Sequence, residues 1–192
     1  MSLRLDVFLK CSMMFARWSR GNRDRSMTDN YSMLAAGFQL LQERRQPLTN
    51  LKRFHGCFEA AWHQTGTDQA AIQNAYGRGN VWLVERRTIP GIATTGRADR
   101  GQNFLMQINA AIVFDLPDGD LGLTLVIAEE LAHAFLIATK DPTHVPSLRG
   151  DHEATAQAVM ERWGLDMLAH RRLTAWVGDH CKNGVWEPLP WK

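Results

Sequence analysis

The first 78 residues are predicted to be mostly helical, because their apolar residues recur every three or four positions. This spacing places the apolar side chains on one face of each predicted helix, with polar residues on the other. Thr28 and Asp29 are favourable N-cap residues, and Pro47 ends a helix. Four helices are therefore predicted, over residues 3–18, from Thr28 or Asp29 to the residue before Pro47, over about 50–63, and over 68–76.

From residue 79 the pattern changes to strands and then returns to helices. Residues 80–86 have strand composition, and residues 104–117 are predicted to form one strand or a hairpin. A long, polar loop is predicted between them from Pro90, Gly91, Gly96 and Gly101. Helical periodicity then extends from Leu121 to Thr139, from about Asp151 to Gly164, and from Leu165 to about Val177.

The strands are grouped together and separated from the helices along the chain, which is typical of an α+β fold. We expect a helical N-terminal extension or subdomain at residues 1–78 and an α+β domain at 79–192, packed as one compact unit. The length of 192 residues and the hydrophobic content of 45% suit a domain with a sizeable core.

The overall charge changes this interpretation little. A formal net charge of +2 gives no general argument for nucleic-acid binding. Basic residues do outnumber acidic ones in the first 25 positions, namely Arg4, Lys10, Arg17, Arg20, Arg23 and Arg25 against Asp6 and Asp24. We interpret this segment as a solvated helix face and loop, with contact to an acidic partner or nucleic acid as the alternative.

Cysteine usage and hydropathy indicate a reducing, aqueous location. Cys11, Cys57 and Cys181 are odd in number and far apart, which argues against a disulfide framework and a thiolate zinc site. Asp6 and Lys10 interrupt the N-terminal apolar run, so neither a secretory signal nor a membrane span is predicted there. We expect a cytoplasmic protein that does not insert into a membrane.

The candidate chemistry lies in the stretch VIAEELAHAFL, which is Val126–Leu136. Residues four positions apart on a helix are neighbours on one face, so Glu129 and His133 can point at one atom. Glu130 lies about 100° further round the helix. Zinc hydrolases carry H-E-x-x-H in this arrangement, with the Glu reaching a water molecule beside the metal. Here Glu129 occupies the place of the first His.

A third ligand is available in the next predicted helix, where Glu153 is followed by Ala154. Together with the motif, this resembles the gluzincin class of zinc metallopeptidases and small intracellular zincin-like domains, over residues 104–168. The resemblance implies a zincin-like active helix and ligand helix beside a small sheet. It also implies that Glu130 is the general base, that His133 and Glu153 are metal ligands, and that Glu129 takes the first ligand position.

The substitution of Glu for His leaves two interpretations open. Two carboxylates and one imidazole cancel the charge of a divalent ion, which weakens it as a Lewis acid and favours manganese or iron beside zinc. The first interpretation is metal-assisted hydrolysis of a peptide bond, with Asn109–Asp115 as the edge strand that pairs with the substrate. The second is a zincin-like module that binds a peptide or protein partner without metal.

Other histidines offer further alternatives. His144 and His152 lie near the predicted helical hairpin, and either could replace the missing His ligand. His170 and His180 are predicted to lie on the surface. Glu130 and His133 also match the Glu-x-x-His unit of di-iron helical bundles, but the chain has no second such unit.

Overall fold

The fold is taken from a computed structural model of the chain. The structure describes residues 32–34, 37–76, 79–85, 91–98, 103–144, 152–182 and 185–186. The helix predicted over 3–18 and the basic residues of the first 25 positions lie outside the described residues.

A five-stranded mixed sheet forms one layer of the protein, in the order β1-β2-β3-β5-β4. The three central strands β2, β3 and β5 are parallel to one another, whereas β1 and β4 pair antiparallel at the two edges. The strands are Ser32–Met33 (β1), Gln39–Gln42 (β2), Gly79–Val84 (β3), Ala93–Ala98 (β4) and Asn103–Asn109 (β5).

Helices supply the rest of the core, and the fold is α+β as predicted from the sequence. They are Leu48–Gln64 (α1), Gln69–Tyr76 (α2), Asp120–Ala138 (α3), His152–Arg162 (α4) and Met167–His180 (α5). A short hairpin of Cys181–Lys182 (β6) and Val185–Trp186 (β7) follows α5. All five helices correspond to helical periodicity in the sequence, within a few residues at their ends.

The helix predicted from Thr28 to Pro47 is wrong for the described part of that segment, which forms β1 and β2. Gly37 adopts φ 78°, a left-handed conformation that a continuing helix does not allow. Leu40 is fully buried and pairs with Val81 across the parallel ladder. Pairing with a strand 41 residues later in the sequence therefore overrides the local helical pattern.

Two further predictions are corrected around β4 and β5. The loop predicted at 90–101 contains the strand β4, whose partner β5 supplies its hydrogen bonds. The expected edge strand Asn109–Asp115 is also wrong. Asn109 ends β5, which lies between β3 and β4, and Val113–Asp115 is a short 3₁₀ turn. Among the described strands, the sheet edge nearest α3 is therefore β4.

Helix α3 is the central element of the core, and it contacts α1, α2, α4, α5 and β4. Apolar residues occur on all its sides, as expected for a helix that is surrounded by protein. Among the described residues it is also the one helix long and apolar enough to cross a membrane. This is weak evidence for a span, because 61% of its most apolar window is already buried inside the fold.

A close backbone contact fixes the start of α3. A Cβ atom at Gly122 would lie 2.3 Å from the carbonyl oxygen of Pro117, far inside van der Waals contact. Glycine at this position therefore lets the preceding turn fold directly against the first turn of the helix.

We expect the substitution Gly122→Ala to lower the free energy of unfolding by about 1–3 kcal/mol, because the turn and the helix must separate. Gly56→Ala is the matched control, since Gly56 is an exposed residue inside α1 with no atom within 4 Å of an added Cβ. This control should raise stability by roughly 0.5–1 kcal/mol through helix propensity. Urea denaturation measures both changes, and equal effects of the two substitutions would contradict the close contact.

Candidate metal centre

Three potential metal ligands converge where α3 faces α4. Glu129 and His133 lie one turn apart on α3, and Glu153 lies in the first turn of α4. One ligand atom from each residue lies within 4.8 Å of the other two, and the His133 Nε2 to Glu153 Oε2 distance is 3.6 Å. The structure thus brings together the three residues that the sequence predicts as ligands.

The position of Glu153 depends on how α4 is anchored at its far end. The indole Nε1 of Trp163 donates a hydrogen bond of 2.9 Å to Asp68 Oδ2, and Arg162 pairs with the same carboxylate. The Trp163 ring also packs edge-on against Phe135 of α3, with 6.3 Å between ring centroids. These contacts hold α4 against α3 and so keep Glu153 opposite His133.

Each of the three candidate ligands has a histidine beside it. His144 Nε2 lies 2.9 Å from His133 Nδ1, at hydrogen-bond distance. His152 Nε2 lies 3.1 Å from Glu153 Oε1. His170 Nε2 lies 3.2 Å from Glu129 Oε1, although this pair does not have hydrogen-bond geometry. Histidines placed against metal ligands commonly orient them and tune their basicity.

The structure corrects the prediction that His170 is a surface residue. His170 is only 2% exposed, and its Nε2 is buried without a hydrogen-bond partner among the described residues. The sequence did carry a signal, because Met167, His170, Leu173 and Val177 recur at helical spacing along α5. That spacing places His170 on the inner face of α5. His180, the other predicted surface histidine, stacks on Trp176 with 4.3 Å between ring centroids.

Glu130 is a buried carboxyl group beside the three ligands. It is 7% exposed, and its Oε2 has no hydrogen-bond partner among the described residues. Burial raises the pKa of Glu130 to about 7, against the opposing effects of His133 and Thr95. Such a carboxyl group can both accept and donate a proton near neutral pH.

Mutual electrostatics stabilise the charged forms of His133 and Glu153. Burial lowers the pKa of His133, but the close contact with Glu153 and the nearby carboxylates outweigh burial and raise the pKa overall. The contact with His133 is also the main reason why the pKa of Glu153 is lowered. Burial and the charges of His133 and His152 lower the pKa of His144 to about 4. The charged forms of His133 and Glu153 are therefore favoured, whereas His144 favours its neutral form.

The donor set fits a divalent cation. One imidazole nitrogen and two carboxylate oxygens give three protein ligands, and a catalytic zinc site has three such ligands and an open fourth position. The oxygen-rich composition also suits manganese or iron. In the metal-free protein the carboxylates around His133 favour its protonated form, which would pair with Glu153.

No protein-family model, curated protein or solved structure matches this chain. The resemblance to zincins therefore stays a prediction from the motif and its spacing.

Proposed function

We propose that this protein is a metal-dependent hydrolase of peptide bonds. In this proposal Glu129, His133 and Glu153 hold the metal ion, and Glu130 is the general base. The observation that carries the proposal is the convergence of three ligand atoms within 4.8 Å, next to a buried carboxyl group whose pKa is about 7. Neither feature alone indicates catalysis, but hydrolysis requires both at one place.

When bound, the metal ion would polarise the substrate carbonyl group and make a water molecule easier to deprotonate. Glu130 supplies the proton transfers, because a carboxylate with a pKa near 7 can accept the proton of the attacking water at neutral pH. The protonated carboxyl group can then donate this proton to the leaving nitrogen. The apolar surroundings of Glu130 favour its protonated form, which makes the first transfer, from water to the carboxylate, more favourable.

The edge strand β4 is the proposed docking strand for an extended substrate. Only β5 pairs with it among the described strands, so its other edge is available for a peptide to add as a further strand. The hydroxyl group of Thr95 in β4 donates to the backbone carbonyl of Glu130 over 3.3 Å. A peptide paired with β4 would therefore pass close to Glu130 and the ligand cluster. This role replaces the one that the sequence suggested for Asn109–Asp115.

Zinc is the first choice of metal, with manganese or iron as alternatives. Two carboxylate ligands reduce the charge of the centre, which makes it a weaker Lewis acid than one with two histidines. In this proposal the imidazole of His170, which lies 3.2 Å from Glu129 Oε1, reorients on metal binding to donate to that carboxylate, and a hydrogen-bonded carboxylate gives less charge to the metal. The proposal thus assigns a supporting role to a histidine from α5.

A metal-free binding module remains the second candidate. The observation that favours it is Glu129 itself, which stands where a zinc hydrolase of this pattern has an imidazole. Under this alternative, His133 and Glu153 keep their ion pair permanently, and β4 binds a peptide or protein partner without cleaving it. Metal binding distinguishes the two candidates.

Zinc titration of the protein should show one site per chain and an increase in the melting temperature. At a free zinc concentration of 100 times Kd, the stabilisation should reach about 2.7 kcal/mol. Glu153→Gln should weaken binding by roughly 100-fold or more, since even residues that only support ligands give ~10–100-fold effects. Glu161→Gln on the exposed side of the same helix is the matched control and should leave Kd unchanged. Equal affinities of the two variants would exclude Glu153 as a ligand.

Glu130→Gln should keep zinc affinity and lose peptide hydrolysis, because the amide cannot accept the proton of the attacking water. The expected loss in kcat is about 10²- to 10⁴-fold, the range for general-base catalysis. The same measurement on Glu129→Gln serves as a comparison, since that change should affect Kd for zinc as well. Full activity of Glu130→Gln against a peptide library would contradict the assignment of the general base.

Glu129→His tests whether the glutamate limits the metal centre. The change restores two histidines and one carboxylate, so the ligand charge falls from −2 to −1 and the ion becomes a stronger Lewis acid. We expect a lower Kd for zinc by calorimetry and a higher rate of peptide hydrolysis. If zinc affinity does not rise, the ligand geometry is not that of a hydrolase, and the binding-module candidate is preferred.

A further inference from the structure

A chain of hydrogen bonds leads from the end of α3 back to His133. The hydroxyl group of Thr143 lies 2.6 Å from Asp141 Oδ1 and 2.9 Å from His144 Nδ1. The other nitrogen of that ring, Nε2, lies 2.9 Å from His133 Nδ1. Four side chains are thus linked in the order Asp141, Thr143, His144 and His133.

The C-terminal end of α3 places Asp141, Thr143 and His144 beside the ligand cluster. Lys140 adopts a left-handed backbone conformation, with φ 56°. The amide of Lys140 bonds to the carbonyl of Ile137, and the amide of Asp141 bonds to the carbonyl of Leu136, which is a Schellman cap. The chain therefore reverses directly after α3, and the short turn Pro142–His144 lies next to His133, one to two helical turns back.

The proton positions along these four side chains can be assigned by starting from Asp141. Asp141 is a carboxylate, because its two hydrogen bonds from the hydroxyl and amide of Thr143 lower its pKa. The single hydroxyl proton of Thr143 therefore points to Asp141, and the oxygen must accept from His144 Nδ1–H. A neutral His144 then has a bare Nε2, which can only accept a hydrogen bond from His133 Nδ1–H.

The same proton positions follow when the assignment starts from His133. A metal ion bound at His133 Nε2 requires a neutral imidazole whose proton is on Nδ1. That proton points to His144 Nε2, so the proton of His144 must be on Nδ1 and point to Thr143. Both assignments place the protons on the same atoms, and no hydrogen-bond donor faces another donor. Only the reverse assignment, with the proton of His133 on Nε2, would block metal binding.

We propose that Asp141, Thr143 and His144 are positioning residues that fix the tautomer and ring orientation of His133, with Nε2 directed at Glu129 and Glu153 as a metal ligand. This inference rests on the proposed metal site, because the tautomer of His133 matters for function only where His133 binds a metal ion. The tautomers themselves can be tested without metal, because the relay from Asp141 to His144 is complete in the protein alone.

The first test is long-range ¹H–¹⁵N NMR of the histidine rings in the metal-free wild-type protein, which reports the protonated nitrogen of each imidazole. His144 should be protonated on Nδ1 and not on Nε2, and His133 should be protonated on Nδ1. A His144 ring with its proton on Nε2 would overturn the relay, whatever the protein does with zinc.

The second test is zinc affinity by calorimetry on matched threonine variants. Thr143→Val removes the hydroxyl group but keeps the shape, and it should weaken zinc binding by about 10-fold, with 100-fold as the upper end. Thr143→Ser should restore wild-type affinity. Thr124→Val in α3, where the hydroxyl group donates to the backbone carbonyl of Asp120, is the control and should leave zinc affinity unchanged.

The outcomes separate this inference from the proposed function. Zinc binding by the wild type with no change in Thr143→Val would overturn the relay and leave the metal site standing. Absence of zinc binding by the wild type would overturn the metal site, and the NMR result would still decide the tautomers. A Thr143→Val protein that melts far below the wild type is replaced by Thr143→Ala, for which the same loss of zinc affinity and the same rescue by serine apply.

Discussion

The burial of α3 is the constraint on which the candidate site depends. The helix lies between the sheet and four other helices, and its residues around Glu129 and Glu130 face protein on most sides. An ionised carboxylate in such a place loses its hydration and is stabilised only by a counter-charge or hydrogen-bond donors. A fold built for stability alone would favour apolar residues here, and the two adjacent glutamates are therefore the reason for proposing a functional site.

Histidines provide the compensation in the metal-free protein. Four of the seven histidines in the chain surround the two glutamates of α3 and Glu153, namely His133, His144, His152 and His170. Imidazole suits this position because it can be a neutral acceptor, a neutral donor or a cation. In the proposal, a protonated His133 paired with Glu153 and a bound divalent cation are alternative ways to compensate these carboxylates.

The local part of this arrangement could be predicted from the sequence. The 3.6-residue period places Glu129, Glu130 and His133 along α3, and the short distance in sequence to Glu153 favours a helical hairpin that brings the ligands together. The α+β class followed from the grouping of strands and helices. These predictions hold because they rest on contacts between residues close in sequence.

The other features of the fold and of the site depend on contacts between segments that are distant in sequence. The periodicity of apolar residues does not predict such contacts. The pairing of Leu40 with Val81 makes a strand from a segment with helical spacing, and the pairing of Ala93–Ala98 with β5 makes an edge strand from an apparent loop. The burial of His170 is an exception, because its helical spacing with Leu173 already indicated the face of α5 that packs on α3. The relay to His133 needed the left-handed Lys140, which no pattern of residue types predicts.

The most direct test of the metal-centre account is elemental analysis of the protein purified without chelators, compared with the same preparation of His133→Ala. The account predicts about one equivalent of zinc, manganese or iron per chain in the wild type and none in the variant. Equal metal contents would contradict it, as would a wild-type protein that contains no metal and takes up none when zinc, manganese or iron is added.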